Sequence, residues 1–310
     1  MSKDKLQYGQ ENRSDAFQRQ RREIPVERQA EPILAGINNL TTVQQPRNKA
    51  EMKRLRSMLE RVTPTNPLLI YVGSCPDYAT REGLYSYEGL GDNVPLLTKT
   101  HVINDMPLLK LLDAYQVPYE YIMMVADVEA TDEFFCQKYT GGDEGIFLER
   151  LASSTQKTQT YLDATVQTEA YGHMRSSSFF GEFGKDKFMN LQNAYKTILE
   201  ERYAVDTSFR YRIDDDTSRR MDMYKKMYGY TGQNYQEFFS FCAGRTIRTM
   251  AQYLTLGRLI SESSDNAVMI NHPTRNIGVP NERNKFPLAG DGPQPQPTIP
   301  IFEMAQKVYE

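Results

Sequence analysis

Several side chains that could do chemistry follow the apolar segments of this sequence. Gly73 and Ser74 end the run "LLIYVGS", and a serine hydroxyl becomes a nucleophile when a base or a hydrogen-bond network activates it. His272 follows "AVMIN" and can transfer protons near neutral pH. Tyr253 lies in the helical pattern "TMAQYLTLGRLI". Ser74, Tyr253 and His272 are therefore candidate catalytic residues, with Cys75 as a rival nucleophile.

Each of these residues also has a purely structural interpretation. Ser, Pro and Asp are common in turns, so "SCPDY" can be an ordinary turn capped by Ser74 or Asp77. A tyrosine on an apolar helix is more often part of the core, because a phenol with a pKa near 10 needs a special environment for acid-base work. His272 can equally be a structural histidine. The sequence leaves both interpretations open.

Carboxylates form a second set of candidates. Asp127, Glu129 and Asp132 follow the apolar run "YEYIMMV", and Asp77 follows Ser74. Carboxylates at strand ends can converge on a cation, and we predict that these four residues and Gly73 bind the substrate. The alternative is helix N-capping by Thr131 or Asp132. The three cysteines form no CxxC pair, and we predict no metal site.

Basic residues are concentrated in local patches. The formal net charge is -3, so the chain has no overall positive field that would bind nucleic acid. Basic side chains with interleaved tyrosines could still contact a phosphate backbone. The candidate RNA-binding residues are Arg219, Arg220, Lys225, Lys226, Arg245 and Arg248.

Strand and helix patterns alternate along the chain, which predicts an α/β fold with a mostly parallel sheet in a Rossmann-like three-layer arrangement. Buried strands are expected at "LLIYVG", "YEYIMMVADV" and "NAVMIN". One more strand, third in chain order, is expected at "VQTEAYGHM". We predict a mobile N-terminal arm over residues 1–45, a Rossmann-like domain over 46–275, and an extended tail with a short helix over 276–310.

The sequence lacks the motifs of several common enzyme classes. The sequence contains no GxxxxGK[ST], GxGxxG, HExxH or GxSxG pattern, which disfavours the commonest nucleotide-dependent and hydrolytic enzymes. Apolar runs are far shorter than the roughly 20 residues that span a bilayer, and the N-terminus is polar. We therefore expect a cytoplasmic protein with no membrane partner.

Taken in order, these segments resemble the cyclodipeptide synthases, tRNA-dependent enzymes with a fold related to the catalytic domains of class I aminoacyl-tRNA synthetases. The resemblance covers residues 60–275 and rests on "VGS", "MMVADVEATDEFF", "AQYLTLGRLI" and "AVMINH". It implies a nucleophilic Ser74, a catalytic Tyr253, a supporting His272 and aminoacyl-tRNA as the partner. It also implies no cofactor, because the tRNA ester already carries the activation.

The chain departs from the family pattern at two positions. Asp77 stands where the family usually has an asparagine, and Gly257 stands where it has a glutamate. Fungal synthases that make arginine-containing cyclodipeptides also diverge from the bacterial enzymes, and an acidic pocket would suit an arginyl group. Two alternatives are a methyltransferase that uses S-adenosylmethionine and a noncatalytic Rossmann-like binding protein.

Overall fold

The computed structural model describes residues 30–40, 49–74, 78–79, 85–86, 94–165, 171–271 and 298–300. Its helices are α1 (Ala30–Leu40), α2 (Lys49–Arg61), α3 (Leu96–Ala114), α4 (Glu133–Thr140), α5 (Glu144–Thr165), α6 (Phe179–Phe183), α7 (Lys185–Val205), α8 (Thr207–Tyr228) and α9 (Tyr235–Ser263). Its strands are β1 (Leu68–Ser74), β2 (Tyr78–Ala79), β3 (Tyr85–Ser86), β4 (Tyr119–Val125), β5 (Gly172–Ser178), β6 (Ala267–Asn271) and β7 (Thr298–Pro300). A 3-10 turn spans Asp127–Thr131.

The central sheet has the strand order β5-β4-β1-β6-β7, and every neighbouring pair in it is parallel. From β1 the chain moves outward through β4 to β5, and it then returns to β6 on the other side of β1. This reversal creates a topological switch point at the carboxyl ends of β1 and β6, where open α/β sheets bind their ligands. The predicted Rossmann-like α/β fold is confirmed.

Side chains of β1 alternate between two helical layers, as the period of a strand requires. Ile70 and Val72 pack in a core with α1, α2 and α3, whereas Tyr71 packs with α6, α7 and α9. An added Cβ at Gly73 would point toward the Phe179 ring of the second layer. Ser74 therefore faces the first layer, on the side of α3.

Local sequence explains where the helices near the carboxyl edge begin and end. Asp132 caps α4 and Asn234 caps α9, each accepting a hydrogen bond from a backbone N–H three residues later. Gly141 and Gly229 end α4 and α8 with φ angles of 64° and 62°, a left-handed conformation that glycine adopts without steric cost.

The folded region begins earlier than the sequence predicted. Residues 30–40, which we assigned to a mobile arm, form α1, and this helix contacts α2 and α3. Ala30, Ile33 and Leu34 are buried, because their helical spacing gives this short segment, which has a single charged residue, an apolar face. The remainder of the predicted arm that precedes Ala30 lies outside the described residues.

Two further boundaries differ from the prediction. β5 covers Gly172–Ser178 and so extends beyond the end of the predicted segment "VQTEAYGHM", because its polar end is held by hydrogen bonds such as that from the Ser176 hydroxyl to the Thr155 carbonyl, at 2.8 Å. Residues 166–170 of that segment lie outside the described residues. Within the predicted tail, Thr298–Pro300 pairs with β6, and the predicted helix at 301–310 lies outside the described residues. None of the described helices is long and apolar enough to cross a membrane.

Candidate active site

Ser74 is the last residue of the central strand β1, which lies between β4 and β6. Its side chain is 1% exposed, and its hydroxyl oxygen lies 2.6 Å from the hydroxyl oxygen of Thr98. The Ser74 carbonyl accepts a hydrogen bond from the Ala126 N–H at 2.9 Å. The predicted nucleophile is therefore fixed at the switch point by both its backbone and its side chain.

The N-terminus of α3 lies beside this hydroxyl. α3 begins at Leu96, so Thr98 is in its first turn, and the preceding Pro95 provides no side-chain cap. The N-terminal end of a helix carries a partial positive charge that stabilises nearby negative charge. Negative charge that develops on an oxygen next to Ser74 would be stabilised by this 19-residue helix.

A row of buried polar side chains continues from Ser74 along α3. Thr98, His101 and Asp105 lie on the buried face of the helix at spacings of three and four residues. The Tyr121 hydroxyl of β4 donates a 2.7 Å hydrogen bond to the Asp105 carboxylate. Burial and the Asp105 charge both raise the pKa of Tyr121, which keeps its hydroxyl protonated as a donor.

Sequence reasoning missed this row. His101 has no obvious partner in the sequence, and only the packing of α3 against β1 and β4 brings it into line with Ser74. The available signal was the helical spacing of Thr98, His101 and Asp105, in a helix that also carries polar residues such as Lys99 and Lys110. Buried polar groups need partners, so this spacing on a core-facing helix indicates a network.

Tyr253 lies on α9, on the opposite face of the sheet from the Ser74 side chain. It is half-buried and packs against the layer that contains Tyr71 and Phe179. The structure does not bring the Tyr253 side chain to the Ser74 hydroxyl, which lies on the α3 side of the sheet.

Three residues predicted for this site fall outside the described ranges. These are Cys75, Asp77 and His272. His272 directly follows Asn271, the last residue of β6. The order of elements around the switch point is therefore as predicted, while the positions of these side chains stay predictions.

Asp127 accepts hydrogen bonds from the protein backbone, and its predicted role as a substrate ligand stays a prediction. Its buried carboxylate accepts a hydrogen bond from the Phe180 N–H at 3.0 Å. Burial raises the pKa of Asp127, although hydrogen bonds from the Ser178 hydroxyl and the Phe180 N–H oppose this shift. Because Phe180 is the second residue of α6, this carboxylate joins the turn after β4 to the start of that helix.

Asp132 is likewise engaged by the protein. It is 1% exposed, caps α4, and forms ion pairs with Arg245 and Arg248 of α9. The expectation that Asp132 could be a helix cap is confirmed. Glu129 lies half-buried in the 3-10 turn between Asp127 and Asp132. Asp127 and Asp132 therefore have different protein partners, and the convergence of the three acids on a cation stays a prediction.

The predicted RNA-binding residues divide into buried and exposed groups. Arg220 is 3% exposed and pairs with Asp216 one helical turn earlier, with 3.5 Å between Nε and Oδ2. A guanidinium this buried presents little surface to RNA, and an RNA contact of Arg220 stays a prediction. Lys225 and Lys226 are exposed near the end of α8. Arg219 belongs to the same helix.

Arg245 and Arg248 are held in the interior by several contacts. The Arg245 guanidinium lies over the Phe135 ring, 4.7 Å from its centroid. Arg248 donates hydrogen bonds to the Val128 carbonyl at 3.2 Å and to the Thr131 hydroxyl at 3.0 Å. The two arginines therefore fix α9 against the turn after β4, and they are not part of a solvated basic face.

A pocket of about 610 Å³ opens beside these arginines, between α4, the end of α8 and α9. Its lining residues are Asp132, Glu133, Phe134, Gln137, Lys138, Tyr228, Gly229, Tyr230, Phe241, Arg245 and Arg248. The pocket thus brings together Asp132, which we predicted to bind the substrate, and Arg245 and Arg248, which we predicted to bind RNA. Ser74 and Tyr253 do not line it.

Among the described residues, no group of three or more histidine, cysteine or acidic side chains could hold a metal ion. The strand order and the site at the switch point define a Rossmann-like protein with a buried serine at the end of its first strand. Comparison of the chain with protein-family models, with curated proteins and with solved structures finds no match.

Proposed function

We propose that this protein is an aminoacyl-tRNA-dependent cyclodipeptide synthase in which Ser74 carries the aminoacyl group. The observation that carries the proposal is the position of the Ser74 hydroxyl. It lies at the carboxyl end of the central strand, 2.6 Å from the Thr98 hydroxyl in the first turn of α3. A nucleophile in this position has a hydrogen-bond partner and a helix N-terminus beside it.

The first chemical step is a transfer between two esters. The Ser74 oxygen attacks the carbonyl carbon of an aminoacyl-tRNA, the bond from that carbon to the ribose oxygen breaks, and the serine proton passes to the departing ribose hydroxyl. No nucleotide is consumed, because one ester replaces another. Thr98 orients the Ser74 hydroxyl, and the dipole of α3 stabilises the transient negative charge on the carbonyl oxygen.

The second stage forms two amide bonds. The amine of the Ser74-bound aminoacyl group attacks a second aminoacyl-tRNA and releases its tRNA. The free amine of the resulting dipeptide then attacks the Ser74 ester, which closes the diketopiperazine and regenerates the serine hydroxyl. In this proposal Tyr253 of α9 and His272, which follows the last residue of β6 in the sequence, orient or protonate the ester in these steps.

A more specific form of the proposal is that one of the two aminoacyl-tRNA substrates carries arginine. Two of the carboxylates that suggested it are already engaged, Asp127 by the Phe180 N–H and Asp132 by two arginines. Recognition of an arginyl group would therefore rest on Asp77 and Glu129.

The two alternative functions, a methyltransferase that uses S-adenosylmethionine and a noncatalytic binding protein, receive less support. A methyltransferase of this fold would use an acid after the second strand to hold the ribose of its cofactor, as Rossmann dinucleotide sites do. Asp127 stands in that position, but its carboxylate is buried against the N-terminus of α6. In a noncatalytic binding protein, the Ser74 hydroxyl would have only a structural role, such as its hydrogen bond with Thr98.

The experiment incubates the purified chain with charged tRNA pools of bacterial and eukaryotic origin and analyses the small molecules by mass spectrometry. We expect a product whose mass is the sum of two amino acids minus two waters, and we expect Ser74→Ala to abolish it. Ser176→Ala is the matched control, since it removes a hydroxyl hydrogen bond at the same edge of the sheet. A folded wild-type chain that gives no product from either pool would contradict the proposal.

A further inference from the structure

The pocket between α4, the end of α8 and α9 has one wall made of aromatic rings. The half-buried side chains of Phe134, Tyr230 and Phe241 line it. Between ring centroids, Phe134 lies 5.3 Å from Tyr230 and 5.4 Å from Phe241, and Tyr230 lies 4.7 Å from Phe241. The three rings therefore form one continuous apolar surface, which offers both ring faces and ring edges to a planar ligand.

The space in front of this wall is open. Gly229, which also lines the pocket, ends α8 with a φ of 62°, and an added Cβ there would meet no atom beyond its chain neighbours within 4 Å. The volume of about 610 Å³ lies within the range of roughly 300–1,000 Å³ that is typical of small-molecule sites. A planar ligand of one or two rings can therefore lie against the aromatic wall.

The charged side chains of the opposite wall are engaged by one another. Asp132 pairs with both Arg245 and Arg248. Burial raises the pKa of Tyr224, and the charges of Glu129 and Arg248 act on it in opposite directions, so Glu129 adds a second carboxylate to this group. Two guanidinium groups and two carboxylates balance, and this wall does not favour an ion over an uncharged ligand.

The rim of the pocket is polar and has no excess of charge. The exposed Glu133 and Lys138 have opposite charges, and the exposed Gln137 carries an uncharged amide. A carboxylate accepts hydrogen bonds, an ammonium group donates them, and an amide does both. These groups can therefore pair with the edge of a heterocycle whose face lies on the rings, which is how proteins bind unpaired bases.

We propose that this pocket binds an uncharged nucleobase, with the face of the base against Phe134, Tyr230 and Phe241 and its polar edge toward the rim. The proposal concerns a site that Ser74 does not line, and it does not rest on the catalytic proposal. The base could belong to a free nucleoside or to an unpaired position of an RNA, and the two sources share this chemistry.

The test is isothermal titration calorimetry of the full chain with adenosine, AMP and ribose. We expect saturable binding of adenosine, none of ribose, and AMP within about threefold of adenosine at both low and high salt. The trinucleotide AAA separates the sources: binding at least about tenfold tighter than adenosine identifies an RNA, and anything weaker identifies a nucleoside. The proposal is overturned if adenosine does not bind the folded chain at about millimolar concentration, or if binding requires the phosphate of AMP.

Two variants place the binding in the pocket. Tyr230→Leu and Phe241→Leu should each weaken adenosine by at least about fivefold, because loss of a stacking ring costs roughly 1–3 kcal/mol per base. Tyr211→Leu is the matched control, since Tyr211 is exposed near the opposite end of α8. If one pocket variant fails to fold, the other still decides the question. Equal adenosine affinity in wild type and the folded pocket variants would overturn the assignment. Ser74→Ala should bind adenosine as wild type does, so this test is independent of the catalytic proposal.

Discussion

The hydroxyl oxygen of Ser74 lies 2.6 Å from the hydroxyl oxygen of Thr98, and this contact joins the end of the central strand to the first turn of α3. Both side chains are buried. Loss of the Ser74 hydroxyl would remove a hydrogen bond from the buried Thr98 hydroxyl, at a cost of about 1–3 kcal/mol in the free energy of unfolding. A loss of activity in Ser74→Ala therefore supports a catalytic role for this residue only when the variant is shown to be folded.

Two glycines of the sheet offer a test that separates function from stability. An added Cβ at Gly73 would lie 3.7 Å from its nearest neighbour, in the Phe179 ring, whereas one at Gly172 would overlap the Tyr119 ring. We expect Gly73→Ala to change the free energy of unfolding by no more than about 0.5 kcal/mol, and Gly172→Ala to lower it by about 1–3 kcal/mol. Urea denaturation measures both.

The Gly73 variant also tests from which face of the sheet the substrate reaches Ser74. A methyl group at Gly73 would point toward the Phe179 ring, on the face opposite the Ser74 hydroxyl. If the aminoacyl group approaches Ser74 from the α3 side, we expect diketopiperazine formation by Gly73→Ala to stay within about twofold of wild type. A fall of at least about tenfold, corresponding to about 1.4 kcal/mol in the barrier, would show that the substrate approaches from the face of Phe179.

Tyr253→Phe removes only a hydroxyl and keeps the ring that packs against the layer of α6, α7 and α9. Because the Tyr253 side chain is on the opposite face from the Ser74 hydroxyl, we expect the aminoacyl-enzyme still to form. Conversion to the cyclic product should fall by roughly 100-fold, as for loss of a general acid. Single-turnover assays with charged tRNA separate the two steps. Wild-type product formation would assign Tyr253 to packing alone.

Asp132→Asn tests whether this carboxylate is structural. The change keeps an oxygen that can cap α4 but leaves the guanidinium groups of Arg245 and Arg248 without their shared counter-ion. We expect the free energy of unfolding to fall by about 3 kcal/mol. Glu133→Gln is the control. Because Glu133 is exposed, we expect this substitution to change the free energy of unfolding by less than about 0.5 kcal/mol. Similar stability in the two variants would contradict a structural role.

A second charge network predicts how stability depends on pH. Burial alone would raise the pKa of Glu182, but two hydrogen bonds from the Arg175 guanidinium, of 2.7 and 2.8 Å, outweigh it and hold the pKa below its ordinary value of 4.5. A lowered pKa in the folded state stabilises the protein above pH 4.5, and this contribution is lost as the pH falls through the folded value.

The measurement compares the free energy of unfolding of wild type and Glu182→Gln from pH 7 to pH 3. The wild type should be the more stable at pH 7, and the difference should shrink below pH 4.5. Glu201→Gln, an exposed change on α7, should show no such trend. A wild-type advantage that stays constant down to pH 3 would exclude Glu182 as its source.

The sheet could be predicted from the sequence because its strands are buried on both faces. Runs such as "LLIYVG" and "YEYIMMV" are too short and too apolar for exposed helices, and their alternation with helical patterns indicates parallel pairing. α1 was not predicted because it is short, although Ile33 and Leu34 pack it against the core. Segments this short give a weak periodic signal.

The candidate site was less predictable, since its pairings join distant parts of the chain. Asp132 meets Arg245 and Arg248 across more than a hundred residues, and no local pattern records such a contact. The burial of Arg220 did have a local signal, because Asp216 lies four residues earlier on the same helix. Ser74 was found from its position at a strand end, but the network on α3 required the packing.

The central claim is that Ser74 carries an aminoacyl ester, and intact-protein mass spectrometry of the chain mixed with charged tRNA tests it most directly. We predict that wild type and Ser176→Ala gain the mass of one aminoacyl group, and that folded Ser74→Ala gains none. The same mass gain in Ser74→Ala would contradict the account and would direct attention to the neighbouring Cys75.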